Sequence, residues 1–365
     1  MIEEQIQDIL EMLPEPAFIS REDRLIWCNA AARRLRLTNC SLSVLLGSQE
    51  ALLRCWSGEG LLQLTVSLLG DEYDAKVRKL GRDLLFLTSK PSRGSHGDAC
   101  SAFSDTLRKP LHNLVTAAGS FYEQLSARQT SLQADPALRD ASAKMNRSIY
   151  QLLRLCGHIY EGGRLLSGQS TADRRSCILN DFLDRFLANC RPLIEASGIR
   201  LDYSAPPMPV SADVDTQLLE RALYNLLANA MAYTPEGGRI SILAEKQDRL
   251  FLIHVCDSGE GVHPDVQALL FSSFDPQGSM DPRSGMGLGL SMVRQIAVLH
   301  GGGLSIRPNP HGKGTCVSFS LSLARAPISF HSVTVHSDPY SGRHHGLVEL
   351  ADVLPSKLYD PEEVE

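Results

Sequence analysis

No uninterrupted apolar run in this 365-residue chain approaches the ~20 residues needed to span a bilayer. The first residues, MIEEQIQDIL, are acidic and helix-like, unlike a secretory signal. Both absences lead us to expect a cytoplasmic protein. A basic field is missing too. The net charge is −6 and no long Lys/Arg run occurs, which argues against nucleic-acid binding. Nine cysteines stand singly, with no C-x-x-C pair and no metal-ligand spacing. They read as reduced thiols, not as a disulfide framework. No internal repeat is visible. What is present is ordinary for a soluble globular protein: 43% hydrophobic and 21% charged residues, in a length sufficient for two or three domains.

Composition divides the chain into four regions, 1–92, 99–168, 171–324 and 325–365. The first mixes a short helix, EEQIQDILEML, with the strand-like runs LLQLTVSLL, EYDAKVRKL and RDLLFLTSK. These predict a meander of antiparallel strands. The polar stretch KPSRGSHGD then reads as a linker. In the second region Phe103, Leu107, Leu111, Leu114, Ala118, Phe121 and Leu125 are spaced 4-4-3-4-3-4. Leu138, Ala141, Met145, Ile149, Leu152, Cys156 and Ile159 follow at 3-4-4-3-4-3. Two such seams predict a helical hairpin that doubles with a second copy into a four-helix bundle. The third region alternates helix and strand patterns between glycine clusters. The last ends in GLVELADVLPSKLY, an apolar segment expected to dock on the third region as a brake.

The third region carries four motifs in order. LERALYNLLANAMAYTPEGG predicts a helix with an apolar face of Leu219, Ala222, Leu223, Leu226, Leu227 and Ala230. Asn225 and Asn229, four apart, share another part of that helix. Amide oxygens suit Mg²⁺, although a polar surface stripe would look the same. HVCDSGEGV follows the strand LFLIHV, with Asp257 at its end and Gly259 and Gly261 leaving room for a ligand. An ordinary turn is the competing reading. LLFSSFD places Phe271 and Phe274 as loop anchors or core. SGMGLGLSMVRQIAVLHGG runs Gly285, Gly287 and Gly289 into a helix, whose free N–H groups would suit phosphate. HGKGTCVSFSL then supplies Gly312, Gly314 and Thr315.

In this order, over roughly residues 213–323, the motifs resemble the N, G1, F and G2 boxes of the histidine-kinase-type ATPases, the GHKL or Bergerat fold. The resemblance implies an α/β sandwich holding ATP and Mg²⁺. Asn229 would bind the metal with help from Asn225, and Asp257 would read the adenine amine. Gly259, Gly261, Gly285, Gly287, Gly289, Gly312, Gly314, Thr315 and Tyr233 would shape the pocket. One departure is Ala232, where many relatives carry a basic residue; Arg283 offers a substitute in the lid.

The hairpin resembles the dimerisation and phosphoacceptor domain of sensor histidine kinases, whose acceptor box reads S-H-E-L-R-x-P-L. Here the box is FSDTLRKPL, with Arg108, Pro110 and Leu111 in register. Asp105 replaces the acceptor histidine, Thr106 the neighbouring acid, and Lys109 the residue used for phosphatase chemistry. Substitutes for the nucleophile would be His112, ~10.5 Å along the helix, or His158 on the second helix. The first region resembles a PAS sensor domain, with Asn29 where an asparagine is common. The whole therefore reads as an α+β multidomain chain: a PAS-like sensor, a dimerising hairpin and an ATP-binding sandwich. It would signal by ATP-dependent shape change, as a homodimer and as partner of a response regulator or another kinase. Alternatives are an active protein-histidine kinase using a displaced or external histidine, a GHKL ATPase, and an anti-sigma-type serine kinase.

Overall fold

A computed structural model describes residues 7, 10–37, 40–56, 58–90, 136–166, 171–261, 288–323 and 345–360. The N-terminal part contains β1 (Ala17–Arg21), β2 (Arg24–Cys28), α1 (Ala30–Arg34), α2 (Leu42–Leu46) and α3 (Glu50–Cys55). The expected meander follows as β3 (Leu61–Leu68), β4 (Asp71–Leu80) and β5 (Asp83–Ser89), paired antiparallel. Along β4 the alternation Tyr73, Ala75, Val77 turns one face inward. Asn29 is fully buried. Its Oδ1 accepts from Ala17 N at 3.0 Å and caps α1 through Ala32 N at 2.9 Å.

Helix α4 (Pro136–Leu166) comes next, followed by β6 (Arg175–Ile178), α5 (Leu179–Ala196), β7 (Arg200–Ser204) and β8 (Ser211–Val214). Then come α6 (Thr216–Tyr233), β9 (Arg239–Gln247), β10 (Leu250–Asp257), α7 (Leu288–Leu299), β11 (Leu304–Pro308) and β12 (Thr315–Ser322). Short α8 (His345–Glu349) and a 3-10 turn (Ser356–Tyr359) close the described chain. One face of β9–β12, with Ile240, Ile242, Phe251, Ile253 and Phe319, packs against α5, α6 and α7 in the main core. Helix α5 contributes Phe182, Leu183, Phe186, Leu187 and Cys190, a 3.6-period stripe that is all but fully buried.

The two halves share one sheet. Its order is β2-β1-β5-β4-β3-β11-β12-β10-β9-β7, all antiparallel except β7 with β9; β6 and β8 form a separate pair. The joint is β3 on β11, where Gln63, Leu62 and Leu61 face Leu304, Ser305 and Ile306. Gly60 makes the approach possible: at φ +74 its absent Cβ would lie 2.0 Å from the Ile306 carbonyl oxygen. Leu250 and Leu252 of β10 belong to the N-terminal core, which extends the contact beyond the edge strands.

Two expectations change. Cys256 and Cys316, opposite each other on β10 and β12, are joined as a disulfide, so the cysteines are not all free thiols. Sixty residues separate them, and only the strand register brings them together. The seam expected along 138–159 also splits. Ile149 and Ile159 are buried, whereas Met145 and Leu152 remain 39% and 41% exposed. The C-terminal segment covers a different stripe of this helix, bonding Asn146, Arg147 and Arg154 and packing Tyr359 on Tyr150. The first hairpin helix, with Asp105, Lys109 and His112, lies outside the described residues.

Candidate functional site

Helix α6 is the site's spine. Asp215 caps its start by accepting from Gln217 and Leu218 N, both at 3.1 Å. The predicted apolar face is buried throughout. Asn225 is not on the surface as expected: it is 2% exposed, and its Nδ2 donates to the Arg221 carbonyl at 3.0 Å. That bond leaves its Oδ1 facing Gly289 of α7, where a Cβ would lie only 3.1 Å from it and 4.0 Å from Asn229 Nδ2. The structure thus brings Asn225, Asn229 and Gly289 together. Gly285, Gly287, Arg283, Phe271 and Phe274 lie outside the described residues.

A second cluster forms where α6 ends, about 12 Å along the axis from Asn225. Asp257 stands at the end of β10, 6% exposed. Its Oδ1 accepts from Gly259 N at 2.8 Å and Thr315 N at 3.2 Å. Burial raises its pKa above the usual carboxylate value, and those two backbone N–H groups pull it back. The glycines are packed too closely for any side chain. A Cβ at Gly259 would meet the Tyr233 carbonyl oxygen at 2.3 Å, and one at Gly314, φ +114, the Asp257 carbonyl oxygen at 2.1 Å. A Cβ at Gly261, φ +86, would sit 3.3 Å from the Gly314 carbonyl oxygen. Tyr233 is 36% exposed. Gly312 instead borders a cavity with His254, Cys256 and Arg307, and nothing lies within 4 Å of its Cβ position.

Sequence reasoning missed Asn309, whose Nδ2 donates to the Asp257 carbonyl at 2.7 Å. It opens the β11–β12 turn NPHGKG, and that turn signal is the only hint of it. His158 is turned inward. Its side chain is 12% exposed, with Nε2 3.3 Å from Glu349 Oε2, which makes it a structural histidine and not a presented nucleophile. A cavity of about 480 Å³ lies on the other face of β10, lined by His254, Cys256 and Arg307. Alternation along the strand keeps Asp257 out of it.

The donor set fits a nucleotide with Mg²⁺. Neutral amide oxygens of Asn225 and Asn229 suit a hard cation that shares its shell with phosphate and water. Among the described residues no group of three His, Cys, Asp or Glu side chains could hold a metal instead. A buried carboxylate beside side-chain-free backbone suits a planar base with an exocyclic amine.

Residues 214–325 match the family described as histidine kinase-, DNA gyrase B-, and HSP90-like ATPase. The chain thus carries a domain of this ATPase family, and sensor histidine kinases are among its relatives. It is 27% identical over 308 residues to the non-motile and phage-resistance protein of Caulobacter vibrioides, covering 81% of this chain and 36% of that protein. It is 36% identical over 135 residues to histidine protein kinase DivJ of the same organism, covering 37% of this chain and 22% of that one. Sensor histidine kinase MtrB of Mycolicibacterium paratuberculosis is 31% identical over 242 residues, 66% of this chain and 40% of MtrB. The alignments thus span 22% to 40% of these relatives' own length. Full-length ShkA in complex with AMPPNP shares the fold, with a TM-score of 0.50 at 23% identity over 64% of this chain and 47% of that one. Among the described residues no helix is long and apolar enough to cross a membrane.

Proposed function

We propose that this histidine-kinase-like protein binds ATP with Mg²⁺ between α6 and the start of α7 at Gly289, and signals by the shape change that binding stabilises. The observation that carries this reading is the convergence of Asp257, Gly259, Gly314 and Thr315 at the foot of the helix bearing Asn225 and Asn229. Asp257 accepts from the exocyclic amine of the base through the carboxylate oxygen its backbone bonds leave open. Gly259 and Gly314 keep that corner clear of side chains. Asn229, with Asn225, offers amide oxygens to the metal, and Gly289 lets the phosphates approach. Bound Mg²⁺ would screen the phosphate charge.

Three roles stand vacant in the acceptor box: Asp105 replaces the nucleophile, Thr106 the acid beside it, and Lys109 the phosphatase residue. His158 is occupied by Glu349, which leaves His112 or a histidine of another protein as acceptor if transfer occurs. We therefore read the output as conformational, in a cytoplasmic homodimer formed through the hairpin, with a response regulator or a second kinase as partner. Regions 1–92, 99–168 and 171–324 serve as PAS-like sensor, dimerisation hairpin and ATP unit, with 325–365 as a tail. Long α4 immediately ahead of the ATP unit favours this over a stand-alone ATPase or an anti-sigma serine kinase.

Calorimetric titration of the full chain with ATP tests the reading. Binding should require Mg²⁺ for full affinity and should be lost in Asn229→Ala. Equal affinity in wild type and variant would overturn the site assignment.

A further inference from the structure

The C-terminal segment 345–360 does not lie loosely on the surface. Leu350, Ala351, Leu354 and Tyr359 are fully buried and belong to the same core as α5 and α6. The segment also holds α4 along most of its described length. Asp360 accepts from Arg139 at 2.6 Å, Asn146 donates to the Tyr359 carbonyl at 3.0 Å, and Arg147 donates to the Ala351 and Asp352 carbonyls at 3.1 and 2.8 Å. Asp352 pairs with Arg154, and Tyr359 stands edge-on to Tyr150 at 5.1 Å.

At the centre is Glu349, 4% exposed, which gathers three elements. It takes His158 of α4 at 3.3 Å, Arg221 of α6 at 3.9 Å and His345 of its own helix at 3.8 Å. Arg221 in turn reaches Glu161 of α4 at 2.6 Å. The turn of α6 that carries Arg221 is therefore held from outside by two carboxylates, one of them from the tail. That same turn's carbonyl fixes the Asn225 amide and so aims its oxygen at Gly289.

We propose that residues 345–360 are a strut that pre-aligns the nucleotide site: docking of the tail through Glu349 and Arg221 holds the Asn225 turn in its binding geometry and ties it to α4. This rests on the nucleotide reading above and reverses the sign expected for a brake. By linkage, tail docking raises nucleotide affinity, and nucleotide binding tightens the tail by the same factor. Nucleotide occupancy is thereby reported to α4, the helix expected to form the second arm of the hairpin.

The test uses the full chain, Mg²⁺ and the non-hydrolysable ATP analogue AMPPNP. Amide hydrogen exchange is followed across 345–360, and affinity is measured in wild type and Glu349→Gln, which keeps the volume but removes the charge and one acceptor oxygen. In wild type, AMPPNP should slow exchange in 345–360. Glu349→Gln should speed it and weaken AMPPNP binding by about fivefold or more. A milder variant, Arg147→Lys, loosens the tail from α4 without touching Glu349 and should show the same effects reduced; it covers the case in which Glu349→Gln fails to fold. Measurable AMPPNP binding with unchanged tail exchange overturns the strut alone. No binding in wild type overturns the nucleotide reading, and the coupling falls with it.

Discussion

Replacing Asp257 with asparagine separates the chemistry of the base-reading corner from its architecture. The amide oxygen of the new side chain can still accept from the Gly259 and Thr315 N–H groups, which lie 2.8 and 3.2 Å from Asp257 Oδ1, so the end of β10 keeps its anchors. The other carboxylate oxygen becomes an NH₂ group, which would face the adenine amine donor to donor. A hydrogen bond to a charged group contributes about 1.5–3 kcal/mol, and an unmet donor adds to the loss. Converted at about 1.4 kcal/mol per tenfold, affinity should fall roughly 10- to 150-fold. Stability should not fall with it, because burial already disfavours the ionised form of Asp257. Calorimetry with ATP and with inosine triphosphate makes the comparison. The inosine base carries an oxygen in place of the amine, so wild type should prefer ATP and Asp257→Asn should narrow or reverse that preference. Unchanged ATP affinity and unchanged selectivity in a folded variant would refute the assignment of Asp257.

Three further outcomes follow from named contacts. His300 is 2% exposed; its Nε2 accepts from Asp215 N at 3.0 Å and its Nδ1 donates to the Ile296 carbonyl at 2.7 Å, so the neutral ring is the bound form. Burial lowers its pKa below 6.5, so its contribution is complete above that pH and is lost as pH falls towards the folded value, by up to about 1.4 kcal/mol per unit; the stability gap between wild type and His300→Gln, from urea melts, should shrink between pH 7.5 and 5.5. Asp74 of β4 pairs with Arg294 of α7, which is 8% exposed, so Asp74→Ala strands a buried cation and should cost about 3–5 kcal/mol, read by urea denaturation. Gly60→Val should split thermal unfolding into two transitions, because its side chain would collide with the Ile306 carbonyl oxygen at the joint between the two halves of the sheet.

The parts legible in the sequence were those whose chemistry is local. Asn225 and Asn229 are four residues apart on one helix, and Asp257 lies two residues from Gly259, so spacing alone set them side by side. The apolar face of α6 followed from periodicity, and the β3–β5 meander from short, turn-bounded runs rich in apolar or β-branched residues. What stayed hidden depends on register and long-range packing. Cys256 meets Cys316 only because β10 and β12 pair at those residues. His158 and Glu349 are 191 residues apart, and no local pattern distinguishes that histidine from a surface one. Gln63 and Leu304 join two regions that composition had separated, through backbone bonds that carry no side-chain signature. Asn225 looked like half of a surface stripe because a helical wheel does not show that α7 and Gly289 close over it.

The central claim is a nucleotide site without a working acceptor beside it. Incubation of the purified full chain with γ-labelled ATP and Mg²⁺, alongside Asn229→Ala and with acid and alkali stability of any label, tests it most directly. The account predicts ATP binding that Asn229→Ala abolishes and no label on the chain. Label that is acid-labile, alkali-stable and absent from Asn229→Ala would contradict it, and loss of that label in His112→Gln would name the acceptor.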